Sequence, residues 1–177
     1  LVQIQSVDTR RDLFQVADIL DSDTLTRLSY EALESLPYTK QEWQEDWKRK
    51  RLIELPGSVL ETIASEINSK RTHISELVGL DITKIDTRFW LDYEGFFCGR
   101  HIDNPGVDYV MQIFLSDAPI NLGTVFFNDG KIRKAFDFTK NSGYIMFNND
   151  SQLHGMEQRV PKNVQRLTSY SYFQIRK

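Results

Sequence analysis

The spacing of apolar and polar positions changes near residue 80, from mostly helical before it to mostly a period of two after it. Val2 and Ile4 alternate with Gln3 and Gln5, and the apolar stretch Leu13 to Leu20 follows, so residues 1–20 read as short strands. Leu25, Leu28, Ala32 and Leu36 form a stripe at helical spacing. Asp21 and Asp23 favour the positive end of that helix and Pro37 stops it, which predicts a helix over 23–36. Leu60, Ile63, Ala64, Ile67 and Ile74 predict one further helix over 58–78, ended by Gly79. Residues 38–55 show no clear period: Trp43 and Trp47 stand among charges that include the run Lys48-Arg49-Lys50-Arg51.

From Ile85 the alternation is regular. Ile85, Thr87, Phe89, Leu91 and Tyr93 share one face of a strand, and Asp86, Arg88, Trp90 and Asp92 share the other. Further strands are expected over 107–115, 122–127, 131–138, 144–148 and 164–175, separated by turn residues such as Asn104-Pro105-Gly106 and Asn128-Asp129-Gly130. Many short strands with frequent turns predict a β-sandwich with helices packed outside it. No repeat or linker divides the chain, so one domain over 1–177 is expected. Residues 1–84 would be its helical and strand support, with 38–55 as a possible lid, and 85–177 its β core.

Composition narrows the function. Among 177 residues, 40% are hydrophobic and 12% aromatic, enough for a real core. The 22 basic and 25 acidic residues leave a net charge of −3, which argues against a nucleic-acid partner. No apolar run is long enough to span a membrane. The one cysteine, Cys98, excludes an internal disulfide and suits a reducing, cytoplasmic setting.

The chemistry is expected in the β-rich half. His101-Ile102-Asp103 puts an imidazole and a carboxylate two positions apart, so on extended backbone both point the same way and can reach one metal ion. His154, far along the chain, could supply a third ligand. Two histidines and one carboxylate on one face of an ion leave positions open for cosubstrate and O2. Arg166 begins another alternating strand, with Thr168, Tyr170 and Tyr172 on its face. An inward arginine needs an anion, because a lone buried guanidinium is too costly, and a carboxylate ligand held by two hydrogen bonds would meet that need. Each residue also has a plainer reading. Asp103 could cap the Asn104-Pro105 turn, Tyr93 could be a core tyrosine, Lys48–Arg51 could be a solvated face, and Arg159 competes for the role of Arg166.

The order His-x-Asp, a long interval, His, a short interval, Arg resembles the Fe(II)- and 2-oxoglutarate-dependent dioxygenase superfamily. The stretch from Tyr93 through Gly99-Arg100-His101-Ile102-Asp103-Asn104-Pro105, with His154-Gly155-Met156 and Arg166-Leu167-Thr168, is similar to its prolyl-4-hydroxylase-like branch. The resemblance implies a double-stranded β-helix, a jelly-roll or cupin-like sandwich. It implies Fe(II) on His101, Asp103 and His154, and 2-oxoglutarate as cosubstrate, its distal carboxylate on Arg166 with Thr168 beside it. Tyr93 is placed like a cosubstrate-contacting tyrosine. Phe114 stands where some relatives carry a tyrosine, and Gln112 on the same face is the candidate to replace it. The implied activity is a hydroxylase that uses O2, admits ascorbate as an accessory, and releases succinate and CO2 while oxidising a peptidyl residue, an amino acid or another small molecule. A cupin-like protein that binds metal or a carboxylate without turnover is the alternative.

Overall fold

A computed structural model describes residues 2–44, 48–104 and 108–176 of the chain. In chain order its elements are β1 (Gln3–Ser6), β2 (Leu13–Ala17), α1 (Ser22–Ser29), β3 (Tyr38–Gln44), β4 (Arg49–Leu52), α2 (Val59–Ser69), α3 (Arg71–Val78) and β5 (Ile82–Asp92). They continue with β6 (Tyr109–Phe114), β7 (Thr124–Asn128), β8 (Lys131–Phe136), β9 (Ser142–Phe147), β10 (His154–Gly155) and β11 (Arg166–Ile175). The strands pair antiparallel in two sheets. The larger has the order β1-β2-β9-β6-β11-β5-β4-β3 and the smaller β10-β7-β8.

The two faces of β5 show why the sheet has the layers it has. Ile85, Phe89 and Leu91 are buried against Leu60, Ile63 and Ile67 of α2 and Ile74 of α3. This is the helix-covered side of the larger sheet. The opposite side and the smaller sheet enclose a second apolar cluster, which includes Val110, Phe114, Phe126, Phe136, Phe138 and Met146. Each sheet strand therefore reads with a period of two because its two faces meet different layers.

Two helical expectations change. The helix expected over 58–78 is α2 and α3, broken at Lys70, whose backbone leaves the helical region. The Lys70 ammonium explains the break: it reaches back to the carbonyl of Ile19 at 2.6 Å, to Asp21 at 3.0 Å and to Glu66 at 2.6 Å. The turn lets both short helices lie against β5. The start of α2 is capped by Ser58, which accepts from the Glu61 amide, and by Glu61, which accepts from the Gly57 amide. The helix expected over 23–36 ends at Ser29 and is followed by a single 3-10 turn at Leu33–Ser35.

The segment 38–55, expected as a lid, forms β3 and β4 at one edge of the larger sheet, beside β5. Trp47 and the Pro105-Gly106 turn lie outside the described residues. Among the described residues no helix is long and apolar enough to cross a membrane.

Buried Asn141 joins the chain's beginning to the β-sandwich. It has a positive φ of 63°, which asparagine tolerates better than most residues. Its side chain accepts from the Leu20 amide at 2.8 Å and donates to the Leu20 carbonyl at 3.0 Å. Asn141→Ala leaves both backbone groups unpaired in a buried place, so a loss of about 2–4 kcal/mol is expected in denaturant unfolding. An unchanged midpoint would refute this role.

Candidate metal centre

His101 and His154 come from distant parts of the chain and are joined through their own backbones. The His101 amide donates to the His154 carbonyl at 2.8 Å, and the His154 amide donates back at 2.9 Å. The neighbouring glycine makes this approach possible: a Cβ on Gly155 would lie 2.7 Å from the Gly99 carbonyl oxygen. β10 in turn pairs with β7, which sets His154 opposite Phe126 and stacks the two rings at 5.1 Å. Imidazole orientation therefore follows from sheet register.

Both rings are fixed in the tautomer that a metal requires. Nδ1 of His101 lies 2.9 Å from the Gly99 carbonyl, and Nδ1 of His154 lies 2.8 Å from the Gln152 carbonyl. A carbonyl only accepts, so each Nδ1 carries a hydrogen and each Nε2 is turned the other way. There they face Asp103: Nε2 of His101 is 3.1 Å, and Nε2 of His154 3.8 Å, from the same Oδ1. One ligand atom from each of the three residues lies within 4.8 Å of the others. Ligands bound at about 2.1 Å to one ion stand roughly 3 Å apart when adjacent. His101 and Asp103 have that spacing at 3.1 Å, and His154, at 3.8 Å from the same oxygen, would be drawn inward by a single small cation. The second Asp103 oxygen accepts from the Tyr170 hydroxyl at 2.6 Å, which holds the carboxylate in place.

The charges fit the same reading. The hydrogen bond to Asp103 raises the His101 pKa to about 10. Burial lowers that of His154, against the attraction of Asp103. Burial pushes Asp103 upward, but hydrogen bonds from His101 and Tyr170 and the nearby imidazoles outweigh it and hold the carboxyl below its ordinary range. The centre is thus an ionised carboxylate between two imidazoles, one of which carries a proton that a metal ion would displace.

The three residues line a cavity of about 650 Å³. Its other end is built by Arg166, which is 2% exposed. Arg166 donates from Nε to the Leu122 carbonyl at 2.9 Å and from Nη1 to Asp92 at 2.7 Å. Among the described residues, Nη2 has no hydrogen-bond partner. Thr168, next along the inward face of β11, is fully buried and its hydroxyl has no partner. Gln112 also lines the cavity. Its side-chain oxygen already accepts from Tyr144 at 2.8 Å and from Thr124 at 3.2 Å, so the amide hydrogens are the part left to bind a ligand. Thr168 is not among the cavity-lining residues, so the groups that face the cavity and fit the distal carboxylate of a 2-oxo dicarboxylic acid are the unpaired guanidinium nitrogen and the free amide N–H₂.

Three expectations are corrected. Tyr93 is not among the cavity residues: it packs on the helix-side core, with the Lys50 ammonium 4.7 Å from its ring centroid. The alternation that puts Leu91 on the core face carries Tyr93 to that side, and the inward neighbour is Asp92. The anion that Arg166 meets is that Asp92, fully buried, and not only a ligand carboxylate. The basic run is not simply a solvated face, because Arg49 turns inward and binds both Asp92 oxygens, at 2.6 and 3.1 Å. Arg159, the competitor for Arg166, instead donates to the Gly95 carbonyl and stacks on Phe97. Asp92 and Tyr170 were missed as contributors. Their signal was the period of two, which puts Asp92 on one face with Trp90 and Tyr170 on one face with Arg166.

Comparisons with known proteins place this fold. No family model matches the chain and no curated protein is similar to it in sequence. Solved structures are. A Pseudomonas putida prolyl-4-hydroxylase superposes with a TM-score of 0.65 and 16% identity, covering 94% of each chain. An oxidoreductase of the 2OG-Fe(II) oxygenase family from Burkholderia pseudomallei gives 0.67 and 12%, over 92% of this chain and 84% of its own. HygX from Streptomyces hygroscopicus, solved with nickel and 2-oxoglutarate bound, gives 0.63 and 12%, over 92% and 82%. The chain has the double-stranded β-helix fold of these oxygenases; at such identities the likeness is one of fold.

The Tyr170 hydrogen bond yields a test of the centre. Removing the group that orients a ligating carboxylate typically weakens metal binding about 10–100-fold. Tyr170→Phe should do so in a calorimetric titration with Mn(II) while the thermal unfolding curve keeps its shape. Equal affinity would show that Tyr170 does not orient the ligand.

Proposed function

We propose that this protein is an Fe(II)- and 2-oxoglutarate-dependent oxygenase that hydroxylates a C–H bond of a peptidyl residue, an amino acid or another small molecule. The observation that carries the reading is the shared cavity. Two imidazole Nε2 atoms and one carboxylate oxygen converge at one place in it, and a buried guanidinium with an unpaired nitrogen stands at its far end. The co-bound nickel and 2-oxoglutarate of HygX support it as the ligand pair of a protein with this fold. When bound, the metal and 2-oxoglutarate supply the oxidative decarboxylation that activates O2 for the hydroxylation.

The chain's own residues do the rest. His101, Asp103 and His154 hold the metal on one side and leave the cavity side open. Arg166 and Gln112 bind and orient the cosubstrate, with the Thr168 hydroxyl behind Arg166 on the same face of β11. Phe114 and Phe138 lie beside the Arg166 guanidinium, with ring centroids 5.8 and 5.3 Å away, and exclude water from that end. Tyr170 keeps Asp103 ionised and in position. Asp92 on Arg166 is the one feature that favours a metal-binding protein without turnover, since the guanidinium already has an anion.

Iron-dependent release of succinate from 2-oxoglutarate separates the two readings, and it needs no substrate because such enzymes turn over slowly without one. The intact protein should release succinate with Fe(II). His101→Ala, Asp103→Ala and His154→Ala should each lose it while keeping the fold. Arg166→Lys should retain metal and raise the KM for 2-oxoglutarate on the order of a hundredfold, because lysine lacks the planar fork. Normal turnover by His154→Ala would end the assignment.

A further inference from the structure

A buried carboxylate joins Arg166 to a second arginine. Asp92 has no exposure to solvent and accepts from Nε and Nη2 of Arg49 and from Nη1 of Arg166. The Arg49 guanidinium lies over Phe96 at 4.1 Å and near Trp90 at 5.2 Å, and Arg49 lines the same cavity. Counting charges decides what this cluster can bind. Arg166 with Asp92 alone is neutral, so an arriving carboxylate would meet one cation already satisfied and one anion beside it. Arg49 makes the cluster positive by one. A net charge surrounded by aromatic rings costs free energy until an anion offsets it. One further carboxylate would complete a neutral set of two guanidiniums and two carboxylates.

We infer that Arg49, held by Asp92, makes the Arg166 end of the cavity cationic and thereby selects a dicarboxylic cosubstrate. The inference rests on the oxygenase reading and deepens it, because it gives the basic run of β4 a task at the same site. Burial opposes both cations. For Arg49 the charge and hydrogen bonds of Asp92 outweigh it and raise the pKa, whereas for Arg166 burial prevails and lowers it. The two guanidiniums also repel each other, so a second carboxylate is favoured by both.

The test uses the intact chain loaded with Mn(II) and calorimetric titration of two acids, 2-oxoglutarate and 2-oxobutanoate, the latter lacking the distal carboxylate. The intact protein should prefer 2-oxoglutarate. Arg49→Gln should weaken 2-oxoglutarate on the order of a hundredfold and leave 2-oxobutanoate nearly unchanged. Arg49→Gln combined with Asp92→Asn restores the charge of plus one at Arg166 and should recover most of that loss. A merely structural role for Arg49 predicts that Arg49→Gln weakens 2-oxobutanoate as much as 2-oxoglutarate, since a disturbed site spares neither acid. Arg49→Lys, which keeps the charge with less disturbance, should fall between the intact protein and Arg49→Gln. Undiminished 2-oxoglutarate binding by Arg49→Gln, or a double variant no better than the single, would overturn the inference while leaving the oxygenase reading intact. Absence of 2-oxoglutarate binding by the intact protein would overturn both.

Discussion

The pairing of β5 with β11 is the constraint on which the other parts depend. The two strands run antiparallel from Arg166 opposite Asp92 to Phe173 opposite Ile85, and β11 also pairs with β6. Side chains alternate across the sheet, so this one register sorts both strands at once. Phe89, Leu91, Leu167 and Phe173 go to the helices, and Asp92, Arg166, Thr168 and Tyr170 go to the opposite face, where Arg166 and Tyr170 line the cavity. A slip of one residue would bury the apolar set where the charges stand and bring the charges against α2. The hydrophobic layer under the helices therefore holds the polar site in register as strongly as any contact within the site.

The cavity that results has two ends with different electrostatics. At one, an acceptor-rich centre gathers two imidazoles around Asp103, with hydrogens directed outward to backbone carbonyls. At the other, two guanidiniums share Asp92 on a floor of aromatic rings. The first suits a cation, which would displace the proton on His101, and the second a further anion. A molecule that chelates a metal at one terminus and carries a carboxylate at the other matches both. This is why the ion pair of Asp92 with Arg166 is compatible with cosubstrate binding once Arg49 is counted.

Much of the layer structure was legible in the chain. The change to a period of two after residue 80, the two faces of the 85–93 segment and the turn residues between strands all follow from local chemistry, and each has its counterpart in the sheets. The helix expected over 58–78 shows where such reading stops. Its apolar stripe continues through Lys70, but the chain turns there because the ammonium finds Ile19, Asp21 and Glu66, none of which the stripe reveals. The segment 38–55 was obscure because β4, paired on both sides, carries cations on both faces and so has no simple apolar period.

For the site, local spacing offered His101 and Asp103 as a pair, since two positions on extended backbone share a face, and the family resemblance together with His154 and Arg166 singled that pair out. Alternation also offered Arg166 as an inward arginine in need of an anion, with Arg159 as a competitor, and the folded sheet buries Arg166. Which anion, and with what net charge, was decided only in three dimensions. Arg49 and Asp92 belong to strands that become neighbours through β4–β5 pairing, and Tyr93, just past β5, packs on the helix-side core. Short-range alternation is a property of the backbone and can be read from the chain. The partner of a buried charge is set by long-range pairing, and only the folded sheet brings those residues together.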